Sequence, residues 1–415
     1  MLNVRLKGFK KYHRINVTLL KFLDLIPKLP QEKILTENSL RRIVASDVIS
    51  QVNVPHFSRS AMDGYAVRSE DTFGSSPHNP KVLKVTEKIS AAETSTKQIN
   101  FKETIQVSTG SPIPKGADAV IKLENIEKIE NSIEVHFPVT PGQNISKIGE
   151  DVKKGNLLLS KGHSIRPQDI ALLLVCGITE LSVTKQPRIA IFPTGSELVR
   201  PGQTPKIGKV IESNSYSIAA LCSLYGGIPT RFDVVPDDPK ALLNAIEKGT
   251  TFDIITFSGG TSVGEYDLLP SVINSYKEGK IFAHGFAIRP GSPTAIGFVN
   301  NIPIFCLPGF PVATMISFSI FVRPTIRVML GTKLDPRPFI YAELTKKIPS
   351  ALGRRDFVRV TIEQKNGRIL ATPTRLKGSG IISSMVKSDG IIEIPEDVEG
   401  LEKGTTVTVR LFPTW

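Results

Sequence analysis

Residues 252–267 read FDIITFSGGTSVGEYD, an apolar run that leads directly into a glycine-rich turn and then into acidic residues. The apolar half, residues 252–257, has the length of a buried β-strand. The glycines that follow allow the chain to turn tightly, and they let backbone amides approach a ligand closely. The combination predicts a strand that carries a ligand-binding turn at its carboxyl end.

Strand-like and helix-like patterns alternate on both sides of this stretch, between residues 188 and 330. Such alternation indicates βαβ units on a parallel sheet with helices on both faces. We therefore predict a central, doubly wound α/β domain over residues 183–332. The predicted strands are RIAIF at 188–192, RFDVV at 231–235, FDIITF at 252–257 and a strand pair that ends in IPIFCL at 302–307. The predicted helices cover 214–226, 239–248, 268–279 and 312–330.

The flanking segments predict three further domains, which makes the fold class multidomain α/β plus β. Short β-rich runs separated by Gly, Pro and Asn indicate a β-rich domain over residues 51–144. Similar runs near the C-terminus indicate a small β barrel over residues 333–415. Helical patterns lie at 17–29, 40–48 and 164–178. They predict a discontinuous N-terminal domain, an elongated linker built from residues 1–50 and 145–182.

Acidic side chains follow three of the predicted strands. They are Glu197, Asp237 and Asp267. The carboxyl ends of parallel strands share one sheet edge, so we expect these carboxylates to converge beside amides that can bind an anion. Carboxylates and phosphate oxygens suit Mg²⁺, so the edge predicts a phosphate held through Mg²⁺. A simpler explanation stays open, because each turn alone is typical of a tight connection and Asp238 is typical of a helix N-cap.

A serine hydrolase is an alternative that the same turn allows. Residues 260–264, GTSVG, match the G-x-S-x-G nucleophile elbow, with Ser262 as nucleophile and His284 as the candidate base. An elbow serine follows its strand within a residue or two, whereas Ser258 and Gly259 already form the turn here. The chain has neither a Walker A loop nor a spaced G-x-G-x-x-G, which disfavours ATPase and dinucleotide-dependent chemistry.

Composition excludes several other classes of protein. The 415 residues include 52 Lys and Arg against 39 Asp and Glu, a formal charge of +13, and ten basic residues lie in the first fifty. No dense basic run contains interleaved aromatics, so we expect no nucleic-acid partner. Three widely spaced cysteines disfavour a disulfide framework and a zinc site.

The longest apolar run, 170–178, is too short to span a membrane, and no secretory signal is recognisable. We expect a cytoplasmic protein with no membrane partner.

Three polar loops outside the α/β segment also carry candidate functional residues. They are SAMDGYAV at 60–67, which is a loop that ends in a strand, TGSPIP at 109–114 and GSGIISS at 378–384. An Asp-Gly turn is the commoner explanation of the first, and the second is also typical of a plain Pro/Gly loop. The third has Arg354, Arg355, Arg375 and Lys377 near it in sequence, which predicts either an anion-binding groove or an ordinary basic surface.

Taken together, these stretches resemble one family in their order and spacing. The stretches are SAMDGYAV (60–67), STGSPIPKGADAVI (108–121), GEDVKKG (149–155), LLSKGHSI (158–165), FPTGSELV (192–199), SGGTSVGEYD (258–267), RPGSP (289–293), LPGFPV (307–312) and GSGIISS (378–384). The chain resembles the molybdopterin molybdenumtransferases, the MoeA-type proteins related to the gephyrin E domain. The resemblance runs from about residue 17 to the C-terminus.

The resemblance implies the last step of molybdenum cofactor biosynthesis, in which molybdate is inserted into adenylated molybdopterin and AMP is released. It further implies a Mg²⁺ cofactor, and molybdopterin adenylyltransferase as an upstream partner. It implies a homodimer whose active sites are each shared between the α/β domain of one subunit and regions of the other. The residues that match functional family positions are Asp63, Thr109, Glu197, Asp237, Asp267, Pro308 and Pro311, with Ser379, Ser383 or Ser384.

Combined with the strand ends, the resemblance implies roles for further residues. Glu197, Asp237 and Asp267 are expected to hold Mg²⁺ on the pyrophosphate of the substrate. Arg289 is expected to stabilise developing charge or to hold molybdate, with Ser292 beside it. Backbone amides of the turn after residue 257 and of the helix that starts near Val312 are expected to bind phosphate or oxyanion oxygens. The turn positions are Ser258, Gly259, Gly260, Ser262 and Gly264.

Two motifs depart from the family pattern. The family's K-P-G-K-P is residues 289–293 here, with Arg289 and Ser292 in place of the lysines, and its G-N-P-V carries Phe310 in place of the asparagine. Arg and Lys hold an oxyanion differently. Either the pocket is retuned, for example toward tungstate, or the chain is a catalytically weakened paralogue that acts as a pterin-binding or scaffold protein. The intact carboxylates favour the active enzyme.

Overall fold

The computed structural model describes residues 12–260, 268–332, 338–375 and 378–412, with Arg375 described by its backbone alone. These residues divide into two units. The first contains the described parts of residues 1–32, 41–45 and 182–415, and the second contains residues 33–40 and 46–181. The finer division into four domains stays a prediction.

A six-stranded sheet forms the centre of the first unit. Its strands in chain order are β1 (Arg188–Pro193), β2 (Ile228–Arg231), β3 (Ile254–Ser258), β4 (Gly279–His284), β5 (Ala295–Val299) and β6 (Ile302–Leu307). The spatial order is β2-β1-β3-β6-β5-β4, in which β2, β1, β3 and β6 are parallel and the last two pairings are antiparallel. Because β2 and β3 lie on opposite sides of β1, the strand order reverses there. Such a reversal leaves a crevice beyond the carboxyl ends of β1 and β3.

Apolar clusters bury both faces of this sheet. Along β1, Ile189 and Ile191 belong to one cluster, and Ala190 and Phe192 belong to the other. Successive side chains of a strand point to opposite faces, so a strand buried on both sides is apolar throughout. The helices of this unit are Ile15–Leu23, Asn214–Leu224, Pro239–Gly249, Leu268–Ser275, Pro311–Ser317 and Arg323–Met329, with a π-helix over Phe318–Val322. The predicted α/β domain is confirmed.

One helical stretch, Pro311–Met329, is long and apolar enough to cross a membrane by length and composition alone. Its most apolar window is 78% buried inside the protein. Phe318, Phe321 and Ile326 of this stretch are fully buried and pack in the same cluster as Phe305 of β6. The stretch is therefore the core helix of the first unit.

A closed five-stranded barrel occupies the C-terminal part of the first unit. Its strands are Phe339–Leu344, Arg355–Lys365, Arg368–Arg375, Gly390–Ile394 and Thr406–Leu411. The second strand pairs with both the third and the fourth, which closes the ring and confirms the predicted barrel. The short strand Ile288–Arg289 pairs in parallel with Arg355 and Asp356, and it thereby joins the barrel to the α/β part of this unit. The remaining short elements are Leu198–Val199, Val210–Ile211, Ile348–Pro349, Gly400–Leu401 and the helix Ser383–Val386.

The second unit contains the β-rich region that the sequence predicts over residues 51–144. Its main sheet has the strand order Ala119–Lys122, Gly64–Val67, Glu103–Val107, Lys81–Ile89, Ser132–Val135 and Ile126–Ile129. Two short ladders pair Arg59–Ser60 with Ile145–Ser146 and Val48–Ile49 with Leu157–Leu159. The helix Pro167–Val175 lies within the helical pattern at 164–178; it begins at a proline, and Gly177 just beyond it has φ 75°. The boundary between the units falls within the strands Gln31–Leu35 and Glu180–Thr184.

Three of the predicted helices need correction. The helix expected over 17–29 is Ile15–Leu23, so it ends before Pro27 and Pro30 are reached. Residues 40–48, all within the described chain, form no helix, since Arg41 has φ 63° and Val44 bridges to Val183. A left-handed residue interrupts any α-helix. The helix expected over 268–279 ends at Ser275, and Gly279 already begins β4.

Candidate functional site

A cleft of about 860 Å³ lies at the carboxyl edge of the parallel strands, at the point where the strand order reverses. Residues at or beyond the carboxyl end of each parallel strand line it: Thr194 after β1, Asp237 in the segment after β2, Ser258–Gly260 at the end of β3 and Pro308–Pro311 after β6. Gly380 from the barrel part of the chain also lines the cleft. The crevice expected from the strand order is therefore present and is large enough for a nucleotide-sized ligand.

Two of the three predicted carboxylates lie in this cleft. Glu197 and Asp237 both line it, and both are exposed. Among the described residues, neither has an ion-pair partner or a hydrogen bond to its side chain. The third acid, Asp267, lies outside the described residues, as do Ser262 and Gly264. Two exposed carboxylates beside a ligand cleft fit the donor set that Mg²⁺ prefers.

Asp238, next to one of these acids, has a structural role. Its carboxylate accepts a hydrogen bond of 2.9 Å from the Ala241 amide and caps the helix Pro239–Gly249. The sequence predicts Asp238 as a helix N-cap, and the structure confirms it.

The turn after β3 is held closely against the end of β1. A Cβ atom on Gly259 would lie 2.2 Å from the Thr194 carbonyl oxygen, and Gly259 itself has φ 100°. Only glycine fits both constraints. The Gly259 amide donates to the Leu307 carbonyl at 3.1 Å, so this N–H is already used within the fold. The amide of Val312 is used in the same way by the Ser379 carbonyl at 3.0 Å.

Two buried polar residues at the cleft are not predicted from the sequence. Asn214 donates through Nδ2 to Ser258 Oγ at 2.9 Å and to the Gly309 carbonyl at 2.7 Å, so it ties together the turns after β3 and β6. The buried carboxylate of Glu212 accepts from the Ser215 amide and hydroxyl, both at 2.7 Å. The signal available in the sequence was E-S-N-S at 212–215, a run of polar residues at the start of a helix.

A second cavity of about 380 Å³ adjoins the cleft and shares Pro293, Pro308 and Phe310 with it. Its lining includes four positions expected from the sequence, namely Arg289, Ser292, Pro308 and Ser379, and also Arg359 from the barrel. The predicted substrate residue Pro311 lines the larger cleft. Two arginines, together with serine side chains, make this cavity suitable for an oxyanion.

Arg289 is held by an acid from the barrel. Its guanidinium donates to Asp356 Oδ2, and Asp356 is fully buried. The same carboxylate accepts from Ser350 Oγ at 2.8 Å and from Arg354 Nε at 3.0 Å. Burial lowers the pKa of Arg289, and the neighbouring Asp356 opposes that effect. A group with so high an ordinary pKa stays charged, so Arg289 enters the cavity as an oriented cation.

The other predicted serines differ in their accessibility. Ser384 is buried and donates its hydroxyl to the Ile381 carbonyl at 2.6 Å, whereas Ser383 is exposed at the start of a short helix. Lys377 and the side chain of Arg375 lie outside the described residues. The hydrolase alternative also stays a prediction, because Ser262 is outside them too.

The two candidates in the second unit contact each other. The Thr109 amide donates to Asp63 Oδ1 at 2.7 Å, and both residues are exposed. The Ser60 amide donates to the Ser111 carbonyl and the Gly110 amide donates to the Ser60 carbonyl, each at 2.8 Å. These bonds hold residues 60–63 and 109–111 together around an exposed, oriented carboxylate.

Comparison with family models finds three matches that together cover most of the chain. Residues 14–177 match the MoeA N-terminal region (domain I and II), residues 190–328 match a probable molybdopterin binding domain, and residues 341–412 match the MoeA C-terminal region (domain IV).

Comparison with known proteins gives relatives that match most of the chain. A putative molybdopterin biosynthesis protein of Methanocaldococcus jannaschii is 37% identical over 401 residues, which are 94% of each chain. A molybdopterin molybdenumtransferase of Bacillus subtilis is 33% identical over 388 residues, 92% of this chain and 90% of that protein. The crystal structure of a molybdopterin biosynthesis MoeA protein from Pyrococcus horikoshii matches 97% of this chain and 100% of its own. Its sequence identity to this chain is 35% and its TM-score is 0.84.

Proposed function

Because this chain belongs to the MoeA family, we propose that it is a molybdopterin molybdenumtransferase that acts in molybdenum cofactor biosynthesis. In the reaction that we propose, molybdate or tungstate is inserted into adenylated molybdopterin and AMP is released. This reaction is the last step of the biosynthesis. The protein would act in the cytoplasm, without a nucleic-acid or membrane partner.

The observation that carries this proposal is the cleft at the strand-order reversal, which brings exposed carboxylates and a glycine turn to one edge. Glu197 and Asp237 would hold Mg²⁺, which neutralises charge on a pyrophosphate when it is bound. The Ser258–Gly260 turn presents a tightly fixed backbone to the same ligand. Asn214 fixes the Ser258 hydroxyl, so the position of this group is set before substrate binds.

The second cavity supports an oxyanion site beside the pyrophosphate. Arg289 is oriented by Asp356, and Ser292, Ser379 and Arg359 line the same space. Since the two cavities share three residues, an oxyanion held there would lie next to a substrate in the larger cleft. The family's second lysine is absent, so we propose that Arg289 supplies most of the charge that attracts the oxyanion.

The direct test is AMP release by the purified protein. The protein is incubated with adenylated molybdopterin and Mg²⁺, in parallel with molybdate and with tungstate. We expect release that requires both an oxyanion and Mg²⁺, and the ratio of the two rates gives the oxyanion preference. Bound substrate without any AMP release, for either oxyanion, would contradict the proposed activity.

A second candidate is a catalytically weakened paralogue that binds the pterin or acts as a scaffold. Ser292 and Phe310 favour it, because both replace residues that the family pattern carries at the cavity. This candidate predicts tight binding of adenylated molybdopterin with a turnover rate that does not respond to added oxyanion. An oxyanion-dependent turnover excludes it.

The proposal includes an assembly. We propose a homodimer in which each active site combines the α/β domain of one subunit with Asp63 and Thr109 of the other. The hydrogen bond that orients Asp63 supports a functional use of this carboxylate. We further propose that molybdopterin adenylyltransferase supplies the substrate, since its product carries the adenylate that this reaction removes.

A further inference from the structure

Phe310 lies on the boundary between the two cavities of the first unit. It lines the cleft of about 860 Å³ and also the adjoining cavity of about 380 Å³. The residue is 62% exposed, although it lies in a concave part of the surface. An aromatic ring exposed within a ligand-sized cleft is an unusual feature that a bound molecule would cover.

The position of Phe310 is fixed on several sides. Its carbonyl accepts hydrogen bonds from the amide and the hydroxyl of Thr314, at 2.9 and 3.0 Å. One side of its ring lies against Gly380, where an added Cβ would be 3.2 Å from Phe310 Cδ1. Gly309, just before it, is tied to Asn214. The backbone of Phe310 is therefore anchored, one side of the ring is supported, and the rest is open to the cleft.

The surroundings of the ring are apolar on the cavity boundary and polar beyond it. Pro293 and Pro308 are the other two residues shared by both cavities. The carboxylates of Glu197 and Asp237 line the larger cleft, and the Arg289 guanidinium lines the smaller one. A ligand that fills this space would carry its charged groups away from the ring and a flat apolar surface against it.

We propose that Phe310 is a specificity-determining residue of this chain, and that its ring stacks on a flat heteroaromatic ring of the substrate. The inference rests on the proposed function, which supplies a substrate with two such rings, the pterin and the adenine. Stacking on an aromatic side chain is favourable for any flat heterocycle. It would also explain why an aromatic residue is tolerated where the family pattern has an amide.

Binding of two simple probes distinguishes the two rings. The chain has one tryptophan, Trp415, so Phe310→Trp in a Trp415→Phe background places a single fluorophore at the site. Neopterin probes the pterin and AMP probes the adenine, both titrated in the presence of Mg²⁺. We expect saturable quenching by one probe, which identifies the ring that stacks. No quenching by either probe would overturn the inference.

Affinity measurements on variants test the energetic contribution of the ring. By calorimetry, Phe310→Ala and Phe310→Asn should weaken binding of the stacking probe about 10-fold or more, whereas Phe310→Tyr should keep it. Phe339→Asn is the matched control, because Phe339 is a 49% exposed aromatic on a barrel strand that lines neither cavity. Wild-type affinity in Phe310→Ala, with a native melting temperature, would overturn the inference.

Turnover separates this inference from the proposed function. If wild-type protein releases AMP, Phe310→Ala should raise KM for adenylated molybdopterin and leave kcat within about 2-fold, since stacking contributes mainly to substrate binding. If wild-type protein stacks a probe and releases no AMP, the proposed activity fails and the stacking role stands.

Discussion

At the scale of single residues, the neighbours Asp237 and Asp238 illustrate how the same side chain acquires two roles. The Asp238 carboxylate accepts a hydrogen bond from the Ala241 amide at the start of a helix. Asp237 lines the cleft, without a side-chain partner among the described residues. Only the second is available to a substrate or a cation, so substitutions at the two positions should have opposite consequences.

We predict that Asp237→Ala lowers the rate of AMP release by about 100-fold or more and leaves the melting temperature unchanged. Asp238→Ala, the matched control, should cost about 1 kcal/mol of stability through the lost cap and keep the wild-type rate. Steady-state kinetics and thermal melts on both variants check this. A rate lost equally in both variants would mean that the helix, and not the carboxylate, matters.

The predictability of the site also depends on individual residues. Glu197, Asp237 and Ser258 could be assigned to the site from the sequence, because the carboxyl ends of parallel strands lie at one edge of the sheet. Asn214 and Asp356 could not be assigned to the site in this way. Asn214 is 44 residues from its partner Ser258, and Asp356 is 67 residues from its partner Arg289. Contacts at such separations depend on how the strands and the barrel are arranged in space, which no local pattern records.

At the scale of elements, Gly64 decides whether a central strand of the second unit can pair. The strand Gly64–Val67 lies between two antiparallel neighbours, Glu103–Val107 and Ala119–Lys122. A Cβ on Gly64 would lie 1.9 Å from the Ile121 carbonyl oxygen. The Asp63-Gly64 dipeptide, which on its own is typical of a turn, here places a glycine inside a sheet because the backbones approach closely.

We predict that Gly64→Ala destabilises the second unit by about 3 kcal/mol, because the strands must move apart. Gly155→Ala is the control: nothing lies within 4 Å of its Cβ position, and its φ of 91° should cost only about 1 kcal/mol. Urea unfolding followed by circular dichroism compares the two. Equal losses would show that the close approach to Ile121 is not limiting.

The helix Pro167–Val175 is stabilised by a buried carboxylate at its start. Asp169 accepts from the Arg166 amide at 2.8 Å, from the Arg166 guanidinium at 3.0 Å and from a ring nitrogen of His163 at 2.6 Å. Burial alone would raise the pKa of Asp169, but these hydrogen bonds outweigh it and hold the pKa well below its ordinary value. The ionised form therefore stabilises the folded state.

We predict that Asp169→Asn lowers the unfolding free energy by about 2 kcal/mol at pH 7. The folded-state pKa is depressed, so this contribution is complete above the unfolded value of about 3.9 and is lost as the pH falls below it. The difference between wild type and variant should thus shrink below about pH 4 in denaturant titrations. Asp151→Asn, an exposed acid of the same unit, serves as the control. A difference that stays constant down to pH 3 would exclude the carboxylate as its source.

Element boundaries show where sequence patterns reach their limit. The β-rich run 231–235 predicts a strand, but the strand is Ile228–Arg231, which pairs with β1 at the edge of the sheet. Pro229 lacks an N–H, and an edge strand tolerates that loss. Beyond the strand, the Phe232 and Val235 amides still bond to β1 at 2.9 and 2.8 Å. The apolar residues of 231–235 therefore pack beside the sheet without forming a regular strand.

At the scale of the whole molecule, the order of domain types could be read from the sequence, whereas the connections inside the first unit could not. The alternation of strands and helices, and the return to short strands after residue 338, specify an α/β domain followed by a barrel. Sequence does not reveal that Ile288–Arg289 leaves the α/β sheet to pair with the barrel at Arg355 and Asp356. A two-residue strand carries too little pattern to be recognised.

The proposed dimer makes a quantitative prediction. If each site combines Asp63 of one subunit with Asp237 of the other, protein that carries Asp63→Ala and protein that carries Asp237→Ala should each be inactive alone. After the two are mixed and their subunits exchanged, half of the dimers are mixed and each holds one intact site, so about a quarter of the wild-type activity should return. Kinetics after refolding from denaturant measure it, with size-exclusion chromatography to confirm the dimer. Activity that fails to return would place both residues in one subunit's site, or outside the site altogether.

The three buried cysteines can report when the structure around each of them opens. Cys176 lies in the second unit and Cys222 and Cys306 lie in the first; all three are buried, and no disulfide joins any of these described residues. Alkylating reagents attack the thiolate, and burial raises the pKa of Cys222, so modification has to wait until the surrounding structure opens. Mass spectrometry of a timed alkylation would therefore record when each unit opens, separately and in the unaltered protein.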